Sequence, residues 1–144
     1  MQFLDNLKPL GLLVLRVALG ATFIFHGYPK LTDPEHALKA FAGYGFPGYF
    51  AYIFGIVEVF GGGLLIAGLF TRGVGLLLTI ETGLILYKSI IPSEGMRGFG
   101  RFEMPLLLGA MAFALVTTGA GVISIDVFTF ESGRKSAKKV KVKN

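Results

Sequence analysis

Four apolar stretches, each long enough to cross a bilayer, constrain this chain more than any single motif in it. A hydrocarbon core is about 30 Å thick and a helix rises about 1.5 Å per residue, so a crossing takes about 20 apolar residues. The stretches run from Pro9 to Tyr28, Tyr49 to Phe70, Gly73 to Ile91 and Met104 to Gly121, each bounded by Pro, Gly or charge. Pro9 falls in a first helical turn, where its missing N–H costs nothing. Runs such as Gly63 to Phe70 are continuously apolar, whereas a membrane β-strand alternates apolar and polar. Hydrophobic residues are 53% of the 144 and charged residues only 16%, more apolar side chain than a soluble domain of this size can hide. The expected fold is all-α, an integral membrane four-helix bundle: a four-span membrane domain over 1–128 followed by a basic tail over 129–144.

The turn between the second and third spans is only Thr71-Arg72-Gly73, which makes those helices antiparallel neighbours. The connections Pro29 to Gly48 and Pro92 to Glu103 are longer, rich in Gly and Pro, and able to fold back over the bundle. Four spans put both termini on one side. That side carries Lys8, Arg72 and six tail residues (Arg134, Lys135, Lys138, Lys139, Lys141 and Lys143), against Lys30, Lys39, Lys88, Arg97 and Arg101 on the other. Eight against five places both termini in the cytoplasm. The tail residues Arg134, Lys135, Lys138 and Lys139 are expected to meet anionic lipid headgroups or an acidic partner. Nucleic acid is not an expected partner, because no DNA-reading motif or aromatic-interleaved groove accompanies the charge. The first span contains Arg16 and no small-residue cleavage site follows it, so it reads as a retained span rather than a signal peptide.

Ionisable residues at membrane depth cost a few kcal/mol each and need a partner or a wet cavity. Arg16, Glu58 and Glu81 fall inside the first, second and third spans; His26 and Lys30 lie near the outer end of the first, and Glu103 opens the fourth. Counting the rise from each span's end puts Arg16 at a depth where its long side chain reaches either carboxylate, and a carboxylate is the natural partner of a guanidinium fork. Gly55, Glu58 and Gly62 share one helical stripe, and Arg16, Gly20, Phe23 and Gly27 share another. Small residues let helices approach closely, so these two stripes are expected to face each other. Two readings of the charges stand side by side. In one, Arg16 and Glu58 are a structural clasp. In the other, they floor a polar pocket that opens outward and is capped by His26, Tyr28 and Lys30. Glu81 either completes a triad with Arg16, snorkels, or stays neutral among apolar neighbours.

Other chemistries lack their residues. There are no cysteines, which removes disulfides, thiolate metal sites and redox thiols. No spaced His and carboxylate set suggests a metal, and a bis-histidine haem fails because His36 falls in a polar loop. Gly61-Gly62-Gly63 is a helix-packing feature rather than a nucleotide loop, and no nucleophile–base pair is visible.

Three segments carry a family resemblance: LRVALGATFIFHGYPKL from Leu15 to Leu31, GIVEVFGGGLLIAGLFTR from Gly55 to Arg72, and FEMPLLLG with TGAGVISID from Phe102 to Asp126. Together they resemble the DoxX family of small four-helix prokaryotic membrane proteins. Matching positions include Arg16, Gly20, His26, Gly27, Lys30, Glu58, Gly62, Thr71, Arg72, Glu103, Ser124 and Asp126. Glu81 and the tail after Phe130 depart from the pattern. The resemblance implies a plasma-membrane protein linked to quinone-dependent redox chemistry, at most one subunit of an oxidoreductase. It suggests quinone as a reversibly bound cofactor, with none attached covalently, and further subunits of a redox complex as partners. On that reading His26 or Tyr28 would hydrogen-bond a quinone carbonyl, Arg16 would polarise the pocket and Glu58 would relay protons. The alternatives are a non-catalytic accessory subunit of a larger electron-transfer complex and, third, a small oligomeric transporter.

Overall fold

A computed structural model describes residues 6–90 and 99–131; the basic tail, with Arg134, Lys135, Lys138 and Lys139, and the connection residue Arg97 lie outside the described residues. Five α-helices follow in order: α1 (Lys8–Thr32), α2 (Pro34–Gly43), α3 (Tyr49–Ala67), α4 (Thr71–Ile85) and α5 (Phe99–Thr118). A π-helical turn, Leu86–Ile90, extends α4, and a second, Val127–Glu131, follows α5. The four long helices form an all-α bundle in which α1 packs along α3 and α4 along α5. Their shared core is Leu19 and Phe23 from α1, Leu65 from α3, Val74 and Leu78 from α4, and Leu108, Ala112 and Leu115 from α5.

The outward faces identify the solvent. Phe25, Phe60, Leu77, Ile80, Leu107 and Phe113 are each more than half exposed, and they stand on all four long helices. An apolar belt around the whole bundle suits hydrocarbon rather than water. Among the described residues, α1 with 25 residues and α3 with 19 are long and apolar enough to cross a membrane.

Helix α1 runs one turn beyond the expected stop at Tyr28, carrying Pro29 inside it. A proline so near the end frees one carbonyl and leaves the closing bond, Asp33 N–H to Pro29 O at 2.9 Å, intact. The true stop is Asp33, held in an extended conformation (φ −123°, ψ 72°) by the ring of Pro34. The same Asp33 caps α2, accepting the His36 N–H at 3.3 Å. The connection therefore does fold back. Ala37 and Phe41 of α2 and Phe46 of the following turn bury against Ala51 and Phe54 at the start of α3. Phe41 meets Phe54 edge to face at 5.5 Å. We call this the cap end, and the opposite one, where the chain enters and leaves, the tail end.

At the tail end the turn between α3 and α4 comes earlier than Thr71-Arg72-Gly73. It is Gly68-Leu69-Phe70, and Thr71 to Gly73 are already helical. Gly68 at φ +70° closes α3 in a Schellman arrangement, with Leu69 N–H on Leu64 O at 2.9 Å and Gly68 N–H on Leu65 O at 3.0 Å. The first N–H groups of α4 are then satisfied from far down the chain. Asp126 accepts from Phe70 N–H at 2.7 Å and Thr71 N–H at 3.0 Å, while its own N–H bonds Gly68 O at 2.9 Å.

The α1–α3 contact is backbone on backbone. A side chain at Gly20 would come within 2.5 Å of Gly62 O, and one at Gly62 within 2.5 Å of Gly20 O. Gly27 lies against Glu58 Cβ and Gly55 O, and Gly55 against Leu31 and Lys30. On the other side of the bundle Gly75 gives the same closeness to Ala112 O of α5, at 2.9 Å from a hypothetical Cβ.

Two outcomes follow. Gly62→Leu should force α1 from α3 and cost well above the roughly 1–3 kcal/mol typical of overpacking, whereas Gly63→Leu, with nothing within 4 Å, should leave the thermal midpoint nearly unchanged. Thermal denaturation in detergent with size-exclusion monitoring compares them. Asp126→Ala should destabilise by about 1–3 kcal/mol by stranding two N–H groups, and Asp126→Asn by less, read from the same melts.

Candidate functional site

The register of α1 against α3 sorts the buried charges into two groups. Glu58 stands opposite Gly27, eleven residues and about 16 Å along α1 from Arg16. Arg16 instead stands opposite Gly68, its guanidinium packed on that residue and on Ser124. Both side chains are buried, at 1% and 4% exposure, yet they do not meet. This corrects the expected Arg16–Glu58 pair. Depth counting set the two too close because α1 overruns Tyr28 by a full turn, which carries Lys30 rather than Arg16 to the height of the carboxylate.

At the cap end the Lys30 ammonium donates to Glu58 Oε2 in an ion pair that is 5% exposed on the glutamate side. Glu81 of α4, 4% exposed, brings a second carboxylate within electrostatic reach of both. Among the described residues no hydrogen bond of ordinary geometry reaches either Glu81 oxygen, and the Glu58 carboxylate is its close electrostatic neighbour. Beside Lys30 and Glu58 lies a cavity of about 240 Å³, walled by Phe23, Phe41, Phe46, Ile85 and Leu108, with His26, Lys30, Tyr44, Glu58 and Thr82 among its polar residues. Lys30 also lies 5.8 Å from the Phe41 ring centroid, and Lys88 lies 5.0 Å from that of Phe46 while donating to Gly45 O. One ammonium thus faces two buried carboxylates. Burying the trio without net charge requires one proton on the carboxylate pair.

His26 lines this cavity although the residue as a whole is exposed. Tyr28 does not line it: the residue is 61% exposed on the outside of α1. A helix turns about 100° per residue, so Tyr28 cannot share the face of both His26 and Lys30. Glu103 is exposed at the start of α5 and also stays out of the cavity, which Met104 and Pro105 line instead.

Arg16 belongs to the tail end. Its Nη2 donates to Ile123 O at 2.5 Å, and Asp126 is the acid that acts on it electrostatically. Its Nε and Nη1 are buried without partners. Between it and the cap-end trio lie Leu19, Phe23, Leu65, Leu78 and Leu115, each at 1% exposure or less. That layer divides the bundle interior into two separate polar compartments.

The residue reading did not single out Phe41, Phe46 or Thr82 as cavity lining, or Gly75 and Gly109 as close contacts with α5 and with Thr82. A local signal existed for Phe41. Asp33-Pro34-Glu35 is a helix start, and Ala37 and Phe41 are spaced four apart behind it. Nothing local marked Thr82, whose hydroxyl is spent on Leu78 O at 2.8 Å. Among the described residues no group of three His, Asp or Glu side chains could hold a metal ion.

Comparison with known proteins bears on this arrangement. The chain is 36% identical over 129 residues to a Bacillus subtilis (strain 168) protein named "Putative oxidoreductase CatD", covering 88% of this chain and 92% of that one. It is 29% identical over 130 residues to an uncharacterized protein of Haemophilus influenzae (strain ATCC 51907 / DSM 11121 / KW20 / Rd), covering 88% and 96%. No solved structure matches. The DoxX family model matches residues 11–88, which hold α1 to α4 and with them Arg16, His26, Lys30, Glu58 and Glu81. The chain belongs to the DoxX family of membrane proteins.

Proposed function

We propose that the chain is the membrane subunit of a quinone-linked oxidoreductase and that the cap-end cavity receives the quinone ring. The observation that carries this is the Lys30–Glu58 ion pair lining an aromatic-walled cavity, with the buried Glu81 within electrostatic reach of both. Two carboxylates buried side by side at membrane depth cost stability, which points to use rather than packing. The fit to a quinone rests on chemistry as well as shape. Phe23, Phe41 and Phe46 offer apolar faces to a flat ring, and Lys30 and His26 offer donors to its carbonyl oxygens. A space of about 240 Å³ suits one ring head group and leaves an isoprenoid chain among the lipids.

A bound quinone supplies two-electron redox chemistry that takes up or gives up two protons. Lys30 orients the ring and balances Glu58. Glu58 and Glu81, with one proton between them, hand protons to and from the ring oxygens. The apolar layer of Leu65, Leu78 and Leu115 keeps water from reaching the trio from below, so protons exchange through the cap. Arg16, in its own compartment, has no part in this. The relative's printed name, oxidoreductase, agrees with the class. The chain has no cofactor-binding motif of its own, so electrons come from a partner subunit or directly from substrate. In this reading all four long helices cross a prokaryotic plasma membrane with both termini cytoplasmic, as the lysine and arginine count favours.

One observation supports the accessory role as a second reading. Gly11, Gly63 and Gly83 have nothing within 4 Å where a side chain would be, so other helices could pack closely there.

Saturable binding of a short-chain quinone by the purified protein is the direct test. Glu58→Gln and Lys30→Gln should each weaken it about tenfold, the loss of one charge-assisted contact, while Phe25→Ala on the lipid face should not. Folded protein that binds no quinone saturably rejects the proposal. Glu81→Leu should keep or raise the thermal midpoint by a few degrees while impairing proton-coupled turnover in the native complex; a large fall in the midpoint would mark Glu81 as structural instead.

A further inference from the structure

At the tail end, away from the cavity just discussed, a second and larger groove of about 550 Å³ opens between the first turn of α4 and the segment that follows α5. Phe70, Arg72, Gly119, Val122, Ser124 and Asp126 are among its lining residues. We propose that this groove binds one anionic phospholipid, with its phosphate at Arg72.

Charge carries the argument. Arg72 is exposed, and among the described residues it makes neither a hydrogen bond nor an ion pair. Its guanidinium lies along the left-handed turn at Gly119 (φ +78°), where a Cβ would stand 3.1 Å from Nε. Asp126 shares the groove but spends both carboxylate oxygens on the N–H groups of Phe70 and Thr71. Behind Asp126 lies the second guanidinium, Arg16, which donates to Ile123 O and keeps Nε and Nη1 without partners. Among the described residues Asp126 forms no ion pair with either guanidinium. Taken together, Arg72, Asp126 and the Arg16 behind it carry one positive charge in surplus, which draws a counter-ion. A phosphodiester carries one negative charge, and its oxygens match the guanidinium fork.

The rim tells a headgroup from a soluble anion. Phe70, Val122 and Phe128 are 57%, 65% and 78% exposed at an end of the bundle. Large apolar side chains beside a free guanidinium give the pattern of a membrane-interface site, where the charge meets the phosphate and the apolar groups meet the glycerol and upper acyl chain. The six basic residues that follow Glu131 in the sequence add a general attraction for anionic lipid. They are a diffuse attraction, whereas Arg72 sits in a formed groove.

The full-length protein, equilibrated in micelles containing equal amounts of phosphatidylglycerol and phosphatidylcholine, should retain one phosphatidylglycerol in native mass spectrometry. Arg72→Gln should lower that retention about tenfold, and Arg72→Lys should restore part of it. Replacing Lys138 and Lys139 by Gln should leave the single retained lipid in place. Because Arg72 makes no hydrogen bond or ion pair among the described residues, Arg72→Gln should melt within a few degrees of the parent, so lost binding is not lost folding. Equal retention of the two lipids overturns the proposal, and so does phosphatidylglycerol retention unchanged by Arg72→Gln. Displacement of the lipid by inorganic phosphate alone would overturn it in favour of a soluble anion.

Discussion

The contact of α1 with α3 through their glycines decides which polar groups meet inside this bundle. Lipid chains are as apolar as leucine, so no hydrophobic force draws two helices together in a membrane; close packing and polar pairing must do it. Gly20 on Gly62 and Gly27 on Gly55 bring backbone against backbone, and a contact that tight tolerates one register. In that register Glu58 falls beside Lys30, and Arg16 falls beside Gly68. A slip of one turn would leave Glu58 facing apolar side chains at a cost of several kcal/mol. Packing and electrostatics therefore select the same alignment.

The bundle disposes of its charges at its two ends. At the cap end a lysine answers one of two carboxylates beneath an aromatic lid. At the tail end an aspartate ties the α3–α4 turn to the segment after α5, with Arg72 in the same groove and Arg16 within its electrostatic reach. Leu19, Phe23, Leu65, Leu78 and Leu115 close the middle. That buried apolar layer keeps the two polar groups apart.

The lid illustrates how much a connection can contribute. Helix α2 is ten residues long and would not persist alone, since isolated helices of that length are marginal. It is held by Phe41 and Phe46 against the start of α3 and by the Asp33 cap. Those same rings form the upper wall of the cavity. One set of aromatic contacts therefore both folds the connection and builds the site.

The chain's order of residues fixed the class of fold, because lipid imposes a length and an apolarity that are local properties of a stretch. It also fixed the candidates for chemistry, since Arg16, Lys30, Glu58 and Glu81 stand out wherever apolar runs surround them. The glycine stripes were legible for the same reason: helical spacing is a local property. Pairing was not. Whether Glu58 meets Arg16 or Lys30 depends on a shift of one helix along another, and one extra turn past Pro29 changes the answer. The α3–α4 turn was misjudged for a related reason, because its N–H groups are satisfied by Asp126, 55 residues away from Thr71. Local sequence sets which groups must find partners in a medium that offers none; only the packed bundle, where distant residues compete for the same space, decides which partners they get.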